Sequence, residues 1–272
     1  MTTPVPKRDR GLLRGPVSAL FDSAARSFAR HGAALLVATV VAAAEAAPFQ
    51  DSMAQRVLAC TGCHGAQGRA APDGYYPRIA GKPAGYLFNQ LVNFRDGRRH
   101  YELMAGLLAP LNDAYLREMA GHFASLDLPY PPPGPAAGTP ESRSLGERLV
   151  RVGDAARGLP ACNDCHGAAM TGRPPFIPGL LGLPRDYLNA QLGAWKTGKR
   201  SAHEPDCMAH VASRLAPEEI GAISSYLASQ PVPTTATTGD AATPVGAAKA
   251  LPMPCGGIGA EAGSATKTQP GR

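Results

Sequence analysis

Cys60-Thr61-Gly62-Cys63-His64 is followed later in the chain by a second copy of its pattern, Cys162-Asn163-Asp164-Cys165-His166. Two cysteines three positions apart with a histidine directly after them are typical of a c-type haem attachment site, where both thiols form thioethers and the imidazole ligates iron. One helical turn brings both sulfurs to the same edge of the macrocycle. A thioredoxin-like dithiol or half of a zinc site also pairs cysteines, but neither requires the histidine twice. The sequence therefore predicts two covalently bound haem c groups.

The sequence that follows each motif is also repeated, and the matching positions lie 101 residues apart. The matches are Pro77, Gly81, Pro83, Leu87, Leu91, Phe94 and Gly97 with Pro178, Gly182, Pro184, Leu188, Leu192, Trp195 and Gly198. Such self-similarity indicates a duplicated unit. A proline-rich stretch between the copies predicts an extended spacer. The predicted organisation is a signal peptide at 1–47, a cytochrome-sized domain at 48–130, a linker at 131–140, a second domain at 141–230 and a low-complexity tail at 231–272.

Helical periodicity predicts an all-α fold. In the first copy Leu87, Leu91 and Phe94 lie at i, i+4 and i+7 on a helix that starts at Pro83 and ends at Gly97. A domain of about 80 residues is marginally stable without a cofactor. We therefore expect these side chains and their counterparts in the second copy to pack around the porphyrin. Other predicted buried stripes are Leu116, Met119 and Phe123; Leu145, Leu149 and Val152; and Ile220, Ile223 and Leu227.

The N-terminus has the features of an export signal. A long basic region precedes an apolar run at 33–44 and the small-residue site Ala44-Glu45-Ala46. The run is too short to cross roughly 30 Å of hydrocarbon as a helix. We therefore predict cleavage near Ala46 or Ala47 and a periplasmic protein. A retained leader, which would associate the protein with the membrane, is the alternative.

The distribution of charge argues against nucleic acid as a partner. The chain has 27 Lys and Arg against 21 Asp and Glu, and much of the excess lies in the predicted leader. Because no basic run is interleaved with aromatic residues, we expect no nucleic-acid binding.

Each iron needs a second axial ligand. Met104 and Met208 each stand seven residues before the apolar residue that precedes a closing helix, in what we predict to be a loop. Methionines at equivalent places in a repeat are predicted to be the distal ligands. The rivals are His100, His203 and His210, which do not occupy matching positions. Met119 and Met170 are interpreted as packing or loop residues, and His122 as a solvent-facing histidine.

Groups around the haems can also be predicted. The backbone carbonyls of Pro77 and Pro178 are suitably spaced to accept the N–H of the ligating imidazoles. Trp195 is predicted to donate its indole N–H to a haem propionate. The basic residues that follow the repeated helices either pair with propionates or are solvated; they are Arg98, Arg99, Lys199 and Arg200.

These motifs, with the segment from Tyr76 to Gly81 and the run from Tyr86 to Arg99, resemble the dihaem class I cytochromes c of the c4 type. The resemblance covers about residues 50–230. It implies two tandem cytochrome c domains related by pseudo-two-fold symmetry. It also assigns the thioethers to Cys60, Cys63, Cys162 and Cys165, the proximal ligands to His64 and His166, and the distal ligands to Met104 and Met208.

The chain departs from the family pattern at two cysteines. Cys207 lies in a longer loop before Met208, and Cys255 lies in a small apolar island of the tail. We hypothesise that they form a disulfide that ties this island over the second methionine loop. Two unpaired thiols are the alternative.

Methionine ligation at both irons implies high potentials and no open position for substrate. The expected function is that of a dihaem electron carrier between a membrane respiratory complex or dehydrogenase and a terminal oxidase or reductase, rather than an enzyme. The alternatives are a cytochrome subunit of a dehydrogenase complex and a dihaem peroxidase.

Overall fold

The computed structural model describes residues 51–71, 74–233 and 250–258. The predicted signal peptide and most of the predicted tail lie outside these residues. The first half of the described chain forms α1 (Met53–Arg56), α2 (Leu58–His64), α3 (Ala84–Arg95), α4 (Glu102–Leu108) and α5 (Asp113–Ala124). The second half forms α6 (Pro140–Arg151), α7 (Cys162–His166), α8 (Arg185–Lys196), α9 (Cys207–Ser213) and α10 (Pro217–Ala228). None of the helices in these described ranges is long and apolar enough to span a bilayer.

Two short strands and two 3-10 turns complete the fold. The strands β1 (Gly172–Arg173) and β2 (Ile177–Pro178) pair antiparallel, with Gly172 opposite Pro178. Single 3-10 turns follow α2 at Ala66–Gly68 and α6 at Ala155–Arg157. The predicted all-α class is confirmed, since this sheet has two residues in each strand.

The boundaries of the helices follow their local sequence. Pro83 is the residue before the first turn of α3 rather than the first residue inside it, and Gly97 follows the helix with φ +80°, which favours glycine. The predicted stripe of α6 is wrong at one position: Val152 is 73% exposed, because the helix ends at Arg151, and Val150 is buried instead. Met104 and Met208 do not lie in loops as predicted but inside the short helices α4 and α9.

Each half has its own hydrophobic cluster. In the first half α3 packs against α5, where the predicted stripe of Leu116, Met119 and Phe123 is buried. In the second half α10 packs against α6 and α8, with Ile220, Ile223 and Leu227 in the cluster. The residues that separate the halves, 126–137, have no regular secondary structure, as the prolines predict.

The halves meet through a reciprocal hydrogen-bond network. Arg99 donates to Gln90 at 3.0 Å in its own half and to Gln191 at 2.6 Å in the other. Arg200 donates to Gln191 at 2.7 Å in its own half and to Gln90 at 2.8 Å in the other. The arginines, like the glutamines, lie 101 residues apart. The contacts therefore follow the pseudo-two-fold symmetry of the repeat.

Candidate haem sites

The eight residues predicted to hold the two haems line one continuous, largely apolar cavity of about 1460 Å³. They are Cys60, Cys63, His64, Met104, Cys162, Cys165, His166 and Met208. A pocket for one drug-sized ligand has roughly 300–1000 Å³, so this cavity is larger than a single small ligand requires. The apolar side chains expected to surround the porphyrins also line it: Leu87, Leu91, Phe94, Leu188, Leu192 and Trp195. The cavity therefore fits two macrocycles.

Both motif histidines are oriented for metal binding. His64 Nδ1 lies 2.8 Å from the carbonyl oxygen of Pro77, and His166 Nδ1 lies 2.8 Å from that of Pro178, which confirms the predicted partners. Since a carbonyl only accepts, Nδ1 must carry the proton, which leaves Nε2 with the lone pair that a metal needs. Burial lowers the pKa of both imidazoles and favours their neutral form.

The motif cysteines lie in helices α2 and α7, directly before these histidines. Burial raises the pKa of Cys162 to about 12 and also raises the pKa values of Cys60 and Cys165. A redox-active dithiol needs the opposite, a lowered pKa that supplies thiolate. The thiols thus suit thioether formation at an apolar wall better than a thioredoxin-like reaction.

Met104 and Met208 lie on equivalent short helices, and both are half-buried. The start of α9 is held by Asp206, whose carboxylate accepts from the backbone N–H of Met208 at 3.1 Å and of Ala209 at 3.0 Å. Its other oxygen accepts from Ala202 N at 2.7 Å and from the Trp195 indole at 3.3 Å. The acceptor of the Trp195 indole in the described structure is therefore Asp206, where a haem propionate was predicted.

Sequence reasoning did not identify Asp206, although aspartate is a preferred residue before the first turn of a helix. A search for such a residue ahead of Met208 would have found it. Two of the rival histidines, His100 and His203, line the cavity, whereas the third, His210, is not among its lining residues; nor is His122. Met170 is buried in the second hydrophobic cluster, as its interpretation as a packing residue predicts.

The basic residues after the repeated helices behave differently from one another. Arg98 donates to Asn93 and pairs with Asp96 at the surface. Arg99 and Arg200 instead form the network between the halves, and each guanidinium also stacks on an aromatic ring of its own half, Arg99 on Phe94 and Arg200 on Trp195. Burial and the neighbouring Arg99 lower the pKa of Arg200 to about 10. Both guanidiniums donate to glutamines. Their place at the contact between the halves was therefore not among the two predicted roles, which were pairing with propionates and solvation.

The hypothesised disulfide is confirmed. Cys207 and Cys255 are bonded across 48 positions of sequence. The bond brings the apolar island of the tail to the cavity, where Leu251, Met253 and Ile258 are lining residues.

Comparison with known proteins gives relatives over most of the chain. It is 38% identical over 208 residues to the thiosulfate dehydrogenase electron acceptor of Thiomonas intermedia, covering 76% of this chain and 95% of that protein. It is 33% identical over 174 residues to cytochrome c4 of Pseudomonas aeruginosa, covering 63% of this chain and 84% of the relative. No protein-family model matches.

A solved structure has the same fold. The crystal structure of reduced recombinant cytochrome c4 from Pseudomonas stutzeri matches with a TM-score of 0.57 and 30% sequence identity. The match covers 67% of this chain and 99% of that one. The similarity therefore extends over the whole dihaem unit of that protein.

Proposed function

Because the chain belongs to the cytochrome c4 family and carries two covalently bound haem c groups, we propose that it accepts electrons from a thiosulfate dehydrogenase. The observation that carries this proposal is the 38% identity over 95% of a relative that is named for that role. The protein is an electron-transfer protein, and we infer that it has no catalytic activity of its own. Its place would be the periplasm, where it would pass electrons on to a respiratory oxidase or reductase.

The proposed roles of the site residues follow the geometry of the cavity. Cys60, Cys63, Cys162 and Cys165 would hold the haems through thioethers, His64 and His166 would be the proximal ligands, and Met104 and Met208 the distal ones. Support comes from the Nδ1 contacts that leave both imidazole Nε2 atoms free to ligate. We also propose the division into domains at 48–130 and 141–230, with a linker at 131–140, after removal of a signal peptide at 1–47.

Each bound haem c supplies a one-electron iron couple. The protein would preset that couple, because methionine sulfur would raise the potential relative to a second imidazole. Two protein ligands at each iron would leave no open position for a substrate. The carbonyls of Pro77 and Pro178 hold the imidazole rings, so little movement of these side chains would accompany electron transfer. Because the residues proposed to hold the two haems line one cavity, the bound haems would lie near each other, as transfer between them inside the protein requires.

Reduction kinetics with a purified partner test the proposal. The oxidised holoprotein is mixed with a thiosulfate dehydrogenase and thiosulfate, and haem absorption is followed by stopped flow. We expect two electrons to be taken up per chain, and no reduction when either the dehydrogenase or thiosulfate is left out. Reduction by a quinol-oxidising membrane complex but not by the dehydrogenase would contradict the proposed donor and favour a general respiratory carrier.

The optical spectrum tests the ligands separately. Ferric haem that is ligated by methionine sulfur has a weak red absorption band. We expect the intensity of this band to correspond to two methionine-ligated irons per chain. A smaller band together with peroxide turnover would contradict the carrier assignment and favour a dihaem peroxidase.

A further inference from the structure

Residues 251–258, which we name the strap, are anchored at three points to residues that are distant from them in sequence. The first anchor is the disulfide from Cys255 to Cys207, the residue directly before Met208. The second is the backbone N–H of Gly256, which donates to the carbonyl of Pro205 at 2.7 Å. The third comes from the other half, where Asn89 Nδ2 on α3 donates to the carbonyl of Gly257 at 3.0 Å. The strap thus joins both halves beside the second haem site.

The fit of the strap against the second methionine loop is close. An ideal Cβ on Gly256 would lie 2.1 Å from the carbonyl oxygen of His203 and 2.5 Å from that of Glu204. Only glycine allows the two backbones to approach so closely. Because side chains of the strap line the haem cavity, this close docking covers the cavity on the side of Met208.

The first site differs at the equivalent position. Aligning Met104 with Met208 places Leu103 opposite Cys207, so an unbonded leucine occupies the position where the second half has its disulfide. Leu103 is 67% exposed and the next turn of α4 carries Leu107, which is 46% exposed. Both leucines and the exposed Tyr75 line the cavity. Among the described residues, the methionine side of the first site is therefore rimmed by exposed apolar side chains.

We propose that the strap locks Met208 in place and shields the second haem, so that the first haem is the one that exchanges electrons with partners. This inference rests on the ligands in the proposed function. The disulfide fixes the first residue of α9, and Asp206 fixes the next two backbone N–H groups. The backbone of Met208 can shift only if α9 and the strap move together, which restricts the positions that its sulfur can reach. Within the part of the chain that the structure describes, Met104 has no comparable tether, because α4 has no side-chain cap and contains no cysteine.

Ligand exchange in the ferric holoprotein tests the proposal. Imidazole is added, and loss of the red methionine–iron band is followed over time. In the wild-type protein we expect two phases of equal amplitude, a fast one from the first haem and a slow one from the second. In the double variant C207S/C255S the slow phase should become faster by about tenfold, which corresponds to ~1.4 kcal/mol of lost anchoring. The fast phase should not change.

Matched variants test whether the strap is the cause of the slow phase. Leu103→Ser changes the equivalent exposed position of the first half and should leave the slow phase unaltered. If the double cysteine variant does not fold, Asn89→Ala removes one strap anchor without touching α9 and should accelerate the slow phase by a few-fold, as expected for one hydrogen bond. A slow phase that is unchanged in both strap variants, or a wild-type protein with a single phase, would overturn the proposal.

Two further variants separate this result from failure of the proposed ligands. Met208→Ala should abolish the slow half of the band and Met104→Ala the fast half. If neither variant reduces the band, the ligand assignment itself is wrong. If both reduce it while C207S/C255S exchanges like the wild type, only the role of the strap is disproved.

Discussion

Glu219, near the start of α10, illustrates how one carboxylate stabilises the second half. Its two oxygens accept from the Arg157 guanidinium at 2.8 and 3.0 Å, and one also accepts from the backbone N–H of Ala216 at 2.9 Å. The hydrogen bond from Arg157 is the main reason that the pKa of Glu219 is held below its usual range. The pair joins the 3-10 turn after α6 to the start of α10, two segments that are distant in sequence.

We predict that Glu219→Gln lowers the free energy of unfolding by about 1–2 kcal/mol near neutral pH, as expected for hydrogen bonds to a charged group. The pKa is lower in the folded state than the roughly 4.3 of an unfolded glutamate. Stabilisation is therefore complete above this unfolded value and is lost as pH falls through the folded value. The difference between variant and wild type should shrink in acid, as measured by denaturant unfolding of the holoprotein at several pH values.

Glu147→Gln is the matched control for this pH dependence. Glu147 pairs with Arg151 at 3.4 Å, but both side chains are more than half exposed, so the expected loss is at most about 0.5 kcal/mol. A loss for Glu219→Gln that stays constant down to strongly acidic pH would contradict the assignment to the carboxylate.

At the scale of elements, the contact between α6 and α10 depends on the absence of a side chain at Gly146. An ideal Cβ there would lie 2.3 Å from the carbonyl oxygen of Ala222 and 3.0 Å from Cβ of Tyr226. Because the nearest atom belongs to the helix backbone, a methyl group can be accommodated only if the helices separate. This close packing helps to form the second hydrophobic cluster, which supports one side of the cavity.

We predict that Gly146→Ala destabilises the holoprotein by about 1–3 kcal/mol, the usual cost of forcing extra volume into a packed contact. Gly193→Ala in α8 is the matched control, because no heavy atom lies within 4 Å of its ideal Cβ. That change should instead stabilise the protein by roughly 0.4–1 kcal/mol, since alanine restricts the unfolded chain. Thermal unfolding of both variants measures the difference, and a Gly146→Ala protein as stable as the wild type would show that the helices adjust freely.

At the scale of the whole molecule, a network of arginine and glutamine side chains joins the two halves. Arg200 is 4% exposed and lies beside Arg99, and the side-chain oxygens of Gln90 and Gln191 each accept from both guanidiniums. Additional backbone bonds connect the same segments: His100 N donates to Lys199 O at 2.8 Å and Ser201 N to Arg98 O at 2.6 Å. The network should therefore make the halves unfold together.

We predict that the double variant Q90A/Q191A separates the unfolding of the halves into two calorimetric transitions, whereas the wild-type holoprotein unfolds in one. The buried Arg200 and the half-buried Arg99 would both lose acceptors, which costs about 1–3 kcal/mol for a buried group. Gln230→Ala is the control, because the side-chain hydrogen bonds of Gln230 in the described structure go to Tyr226 and Ser229 of its own half, and it should keep a single transition. Two transitions already present in the wild type would contradict coupling by this network.

The sequence by itself determined the features that are local or repeated. The two Cys-x-x-Cys-His motifs predicted the haems, the helical stripes predicted α3, α5, α8 and α10, and the spacing of Pro77 and Pro178 from the histidines predicted the carbonyl partners. These predictions succeeded because short-range periodicity and duplication leave a signal that can be read along the chain. Even the Cys207–Cys255 disulfide could be hypothesised, since only two cysteines remained outside the motifs.

Only the tertiary structure decided which distant groups meet. The exchange of hydrogen bonds between Arg99 and Gln191, the acceptance of the Trp195 indole by Asp206, the close approach at Gly146 and the anchoring of the strap by Asn89 all join residues from separate elements. An arginine or an asparagine has the same local pattern whether it faces solvent or a partner, because the energy of burying a polar group depends on the acceptors that folding brings to it. For that reason the sequence predicted two haem sites, whereas only the fold shows which distant groups meet around them.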